Sequence, residues 1–327
     1  MKGPDRDPGA GPSGALAAAG HLARELVDAC GRGARAPEHV LEACVACLIT
    51  GGHVMIEDAP GVGKTVLAKA LARASGSSYS RVQCTADLLP ADVTGVTVWH
   101  QGDDSFRFHP GPVFANLVLV DEINRASPKT QSALLECMEE RQVTVDGQTR
   151  PVPEPFMVIA TQNPVEYEGT FPLPEAQLDR FTVRVSLGYP NAAAEATMLL
   201  ELAGKDALED VPVVADARAL RDLQYRLADI HADAALADYV VGITRATRSD
   251  PRTDLGASPR AGISLLQMAR ARALVQLRTY ALPEDVRTMA PLCLAHRLVL
   301  SPDARARGVD PVEIVDDALR ATPVPLA

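Results

Sequence analysis

The run Ala59-Pro60-Gly61-Val62-Gly63-Lys64-Thr65 is a glycine-rich turn ending in an ammonium and a hydroxyl. Its glycines let backbone N–H groups turn inward around phosphate oxygens. A helix beginning at Lys64 adds the favourable field of its N-terminus for an anion. Lys64 is then placed to reach β- and γ-phosphates, and the Thr65 hydroxyl to hold Mg²⁺. The pattern G-x-x-x-x-G-K-[ST] asks for glycine where this chain has Asp58. Aspartate tolerates turn conformations well, so the motif is read as a variant P-loop. The whole segment Asp58 to Val66 is the expected nucleotide-binding loop, with ATP as its ligand.

About 55 residues further on, Leu117-Val118-Leu119-Val120-Asp121-Glu122 is an apolar run ending in two acids. Such a run after a P-loop reads as a Walker B strand. Asp121 is the expected metal-positioning carboxylate, and Glu122 the base or polariser for the attacking water.

These residues need elements to hold them. The pattern predicts strands over His53–Glu57, Tyr79–Cys84, Leu117–Asp121, Phe156–Ala160 and Phe181–Leu187. Helices are expected over Leu16–Ala29, Pro37–Ile49, Lys64–Ser75 and Lys129–Glu140. Strands with fully apolar interiors, alternating with helices, imply a parallel sheet covered on both faces. Two hairpins are signalled, around Gly102-Asp103-Asp104 and Asp146-Gly147. From Asn191 onward the chain is rich in Ala, Leu and Arg, is helical in period, and shows no convincing strand. The expected organisation is a disordered tail over 1–14, an α/β nucleotide-binding domain over 15–189, and an α-helical lid over 190–327.

Composition narrows the function. The chain has 327 residues, 47% hydrophobic and 23% charged, with net charge −10. That acidity argues against a protein that coats nucleic acid, because phosphate binding wants a basic footprint. Aromatics make up 4%, too few for extended base-stacking platforms. Six cysteines suggest a reduced compartment. Cys44 and Cys47 lie in an apolar run without further ligands nearby, and read as buried thiols. No basic-then-apolar leader is visible, and no apolar stretch reaches about 18 residues. Cytoplasmic location and no membrane insertion are expected. Trp99, Phe106 and Phe108 put aromatics on the first hairpin, either packed on their own domain or presented to a client.

Three further runs carry a family resemblance: Asp121-Glu122-Ile123-Asn124-Arg125-Ala126, Ala160-Thr161-Gln162-Asn163-Pro164 and Leu178-Asp179-Arg180-Phe181. With the P-loop they resemble the MoxR family of AAA+ ATPases, in the family's order and over roughly residues 16 to 320. The resemblance implies a five-stranded AAA+ core with two hairpin inserts, the helix-2 insert around Gly102 and the pre-sensor insert at Asp146-Gly147. It implies that Asn163 is sensor 1, contacting γ-phosphate or water; the alternative is an Asn that caps the loop before Pro164. It implies that Arg180 is an arginine finger delivered to a neighbouring subunit; the alternative is a surface pair with Asp179. Gly256-Ala257-Ser258-Pro259-Arg260-Ala261 resembles the sensor-2 region. Ser258-Pro259 looks like a helix start, so Arg260 falls in a first turn, acting on its own or a neighbour's nucleotide. Gln83 is either an ordinary strand-end residue or a contact holding Glu122 inactive. The resemblance further implies a homo-oligomeric ring (a hexamer), Mg-ATP hydrolysis, a von Willebrand factor A domain partner, and a remodelling role on protein clients. A nucleic-acid motor and an ATP-sensing scaffold with little turnover are the competing readings.

Overall fold

In each central strand, alternate side chains face opposite sides of the sheet, and both sides are apolar. The computed structural model describes residues 12–102, 104–163, 169–189, 195 and 207–325. The sheet strands are β1 (Val54–Glu57), β2 (Tyr79–Gln83), β5 (Leu117–Asp121), β8 (Met157–Gln162) and β9 (Val183–Val185). They lie in the order β2-β5-β8-β1-β9, all parallel. Val54, Ile56, Leu117, Leu119, Met157 and Ile159 face one core. Met55, Val118, Val120, Val158 and Ala160 face the other. This two-sided burial is why the strands read as continuous apolar runs. Each fully buried aliphatic side chain contributes about 1.5–3 kcal/mol.

The first face is covered by α1 (Pro12–Gly33), α2 (Glu38–Ile49) and α3 (Lys64–Ala74). The second is covered by α5 (Pro128–Glu140), through Leu134, Leu135 and Met138. α4 (Pro90–Thr94) and α6 (Glu175–Leu178) are short connectors. Both expected hairpins form, as β3 (Gly95–His100) with β4 (Ser105–Pro110), and β6 (Gln142–Val145) with β7 (Gln148–Pro151).

The C-terminal region is built from helices Ala217–Arg226, Ala234–Ser249, Pro259–Val275, Pro283–Leu294, Pro302–Ala306 and Pro311–Ala321. Helix Pro259–Val275 packs on α1 and α2, so one apolar cluster runs from the sheet face into this helical region.

Three local expectations differ from the structure. α1 begins at Pro12, so the expected tail is shortened, and its residues 1–11 lie outside the described residues. Pro37 is the N-cap of α2 rather than part of its first turn. The helical region also carries a two-stranded antiparallel ladder, β10 (Thr253–Leu255) with β11 (Val299–Leu300). Segments of three and two residues are too short to show an alternating pattern.

Candidate active site

The phosphate loop runs from the carboxyl end of β1 into α3. Gly61 and Gly63 have φ of 86° and 97°, a region that only glycine enters freely, and an added Cβ at either would meet nothing within 4 Å. Gly63 is the N-cap of α3 and Lys64 its first residue. The loop is therefore an open cradle of backbone amides at a helix N-terminus, which fits an anionic phosphate chain. Lys64 Nζ donates to the Asp58 carbonyl oxygen at 2.6 Å. The Asp58 carboxylate is a clamp. It accepts from Leu187 N at 2.6 Å, Ser186 Oγ at 2.7 Å and Gly188 N at 3.2 Å, and the residue is 8% exposed. The departure from the generic glycine thus ties the loop to the segment leaving β9.

Asp121 and Glu122 stand at the carboxyl end of β5, one strand beyond β8, so they share the sheet end of the phosphate loop. Ligands in open α/β sheets bind at that end. Thr161, buried at the end of β8, organises both acids. Its Oγ1 donates to Asp121 Oδ1 at 2.6 Å and accepts from Glu122 N at 2.9 Å. Glu122 has φ of 56°, a left-handed conformation costing a non-glycine residue about 1–2 kcal/mol. The Thr161 bond helps hold that strained backbone. Gln83 Nε2 donates to Glu122 Oε2 at 3.2 Å, and Arg125 Nη1 pairs with the same oxygen at 3.0 Å. Arg81 Nη2 bridges Gln83 Oε1 at 2.7 Å and Asp121 Oδ2 at 2.6 Å. Asn163 is buried just past β8, and the following residues 164–168 lie outside the described residues. The oxygen donors of Thr65 and Asp121 suit a hard cation such as Mg²⁺.

Arg180 and Arg260 are elsewhere. β9 runs parallel to β1 with Val183 opposite Val54, and Arg180 precedes β9. Arg180 therefore lies at the strand-start end, with β1 itself, about 3.3 Å per residue, between it and the phosphate loop. Arg260 joins it there. Ser258 caps helix Pro259–Val275 by accepting from Ala261 N, which sets Arg260 in the first turn as expected. Glu139 of α5 binds both arginines, Arg180 Nε at 2.8 Å and Arg260 Nη1 at 3.1 Å. The helical region also grips the backbone around Arg180. Arg297 Nη2 donates to the carbonyls of Asp179 at 3.1 Å and Phe181 at 3.0 Å, and its Nε lies 3.0 Å from Asp179 Oδ1. His296 Nε2 lies 2.9 Å from the Phe181 carbonyl. Asp179 thus pairs with Arg297 rather than with Arg180.

Thr161, Arg81, Glu139 and Arg297 were not singled out from the sequence. Thr161 lay within a quoted motif; the other three carry no local signal. The aromatic hairpin divides. Phe108 packs against Phe114 and under Arg150, while Trp99 and Phe106 meet edge to face, 4.9 Å between ring centroids, with both residues exposed. Cys44 and Cys47 are free and buried, as expected. Among the described residues, no helix is long and apolar enough to cross a membrane.

Residues 53–183 match the model of the ATPase family associated with various cellular activities, and residues 245–318 an AAA lid domain. The chain is 46% identical to uncharacterized protein YeaC of Bacillus subtilis, over 86% of this chain and 88% of that protein. It is 41% identical to chaperone MoxR1 of Mycobacterium tuberculosis, over 88% of this chain and 78% of that one. A crystal structure from Cytophaga hutchinsonii, of a protein taken to be an ATPase, superposes with a TM-score of 0.89 at 34% identity. That match covers 95% of this chain and 97% of the other. With the phosphate loop, the Walker B acids and the lid in one chain, these likenesses place it: it is a MoxR-family AAA+ ATPase.

Proposed function

We propose that this chain hydrolyses Mg-ATP at a site shared between subunits of a cytoplasmic homo-oligomeric ring, a hexamer, and uses the cycle to remodel partner proteins. One observation carries the shared site. Arg180 and Arg260 sit at the opposite end of the sheet from their own phosphate loop. Cations for the γ-phosphate of one subunit are then supplied by the next. The name of the Mycobacterium relative, chaperone MoxR1, supports a protein client. A von Willebrand factor A domain protein is the proposed partner, and no nucleic acid is needed.

The residues divide the work. The amides of Asp58 to Val66 and the Lys64 ammonium hold the phosphates. Thr65 and Asp121 would hold Mg²⁺, which would supply charge neutralisation for the phosphates. Glu122 orients a water for attack on the γ-phosphorus and accepts its proton as the bond to ADP breaks. Asn163 orients the same water without adding charge. Arg180 and Arg260 neutralise charge developing on the neighbour's phosphoryl oxygens, a contribution of about 10³–10⁵ in rate for an arginine finger. Gln83 and Arg125 hold Glu122 at rest.

The test is ATPase rate per subunit against protein concentration, with Glu122→Gln as the control and sedimentation in parallel. A rate that climbs as the oligomer forms, and vanishes in the control, is expected. Full turnover by a species that sediments as a monomer would refute the shared site.

A further inference from the structure

Glu139 is the junction of three segments distant in sequence. It stands near the end of α5, Arg180 precedes β9, and Arg260 opens helix Pro259–Val275. Its two oxygens are divided between the arginines: Oε2 accepts from Arg180 Nε, and Oε1 from Arg260 Nη1. The bonds from Arg180 and then Arg260 hold its carboxyl below the usual carboxylate range. The backbone on both sides of Arg180 is already fixed by Arg297. What remains to be set is the heading of the side chain. Because Arg180 is held through Nε, its Nη1 and Nη2 donate to no protein group among the described residues. That leaves a fork of donors suited to phosphate oxygens.

We propose that Glu139 is a positioning residue, holding Arg180 and Arg260 side by side as a two-cation clamp for the phosphate end of a neighbouring subunit's nucleotide. This rests on the shared-site reading above. Both arginines are long and rich in rotamers, and an unheld pair repels itself. One carboxylate between them reduces both costs and leaves the clamp net cationic. The gain is orientation before the anion arrives.

The experiment uses full-length Glu139→Gln, Glu139→Asp and Arg180→Ala, each alone and mixed with Glu122→Gln. Glutamine keeps the shape of Glu139, but its amide presents one acceptor and no charge. Turnover in Glu139→Gln should fall by about tenfold or more, with KM for ATP within about twofold of the wild type. Glu139→Asp, which keeps the carboxylate, should recover part of the loss. Mixed with Glu122→Gln subunits, Glu139→Gln should regain turnover as Arg180→Ala does. The intact sites in either mixture pair the first variant's own Glu122 with arginines held correctly by its neighbour. A general structural role for Glu139 would damage its own subunit's site, and that mixture would stay inactive. Wild-type turnover in Glu139→Gln overturns the proposal. So does an inactive Glu139→Gln mixture beside a recovered Arg180→Ala mixture, and in both cases the shared-site reading stands. An Arg180→Ala mixture that never recovers overturns that reading and the proposal together.

Discussion

Asp58 occupies the position where the generic phosphate-loop pattern carries glycine, and we predict that restoring the glycine destabilises the protein. Nothing at this position requires glycine, since the positive φ angles of the loop fall at Gly61 and Gly63. The carboxylate, in contrast, accepts from Leu187 N, Ser186 Oγ and Gly188 N. A hydrogen bond to a charged group contributes about 1.5–3 kcal/mol, and the buried Leu187 amide would be left without its acceptor. The other two donors are partly exposed, so water replaces the carboxylate and each loss is about 0.5–1 kcal/mol. Glycine adds about 0.5–1 kcal/mol of backbone entropy. The total is about 4 kcal/mol. At about 2 °C per kcal/mol for a chain of this size, the unfolding midpoint should drop by about 8 °C. Asp58→Asn, which keeps one acceptor oxygen, should lose about half as much. Scanning calorimetry on both variants measures this directly. A midpoint for Asp58→Gly within about 1 °C of the wild type, about an eighth of the expected effect, would refute the clamp.

Lys64→Ala should abolish nucleotide binding, and unchanged affinity for a fluorescent ATP analogue would sink the phosphate-loop assignment. Gln83→Ala removes the 3.2 Å bond to Glu122 and should raise basal turnover by about threefold, as expected for a hydrogen bond of about 0.5–1 kcal/mol. A slower or unchanged basal rate would show that Gln83 does not restrain Glu122. His53 and His296 are buried and held neutral, each pushed down to about 3, first by burial and then by Arg141 or Arg297. An unfolded histidine titrates near 6.5. Between about pH 6.5 and 3 the unfolded chain therefore binds protons that the folded chain refuses, and stability falls as pH falls. Each histidine contributes up to about 1.4 kcal/mol per pH unit. His296→Gln should remove about half of that slope in urea midpoints taken between pH 6.5 and 5, and an unaltered slope would contradict it.

The phosphate loop, the Walker B acids and the five strands were legible in the sequence because their signals are local. A glycine pair before Lys64-Thr65, or an apolar run ending in Asp121-Glu122, keeps its meaning wherever the strand lies in the sheet. Apolar strand interiors announced burial on both faces, and the Ser258-Pro259 cap announced the turn that holds Arg260. The helical region was legible as helix, but its short ladder between Thr253–Leu255 and Val299–Leu300 was not. A pairing that brief depends on partners far along the chain. The same holds for the groups that orient the site. Glu139 meets Arg180 across 41 residues and Arg260 across 121, and Arg297 reaches Asp179 across 118. No spacing rule reaches that far. Sequence by itself determined the phosphate-loop and Walker B motifs and the strand ends that carry them, since both follow from local backbone preference. Tertiary structure alone decided that Arg180 and Arg260 stand together, away from their own phosphate loop, because strand order and helix packing bring distant charges onto one carboxylate.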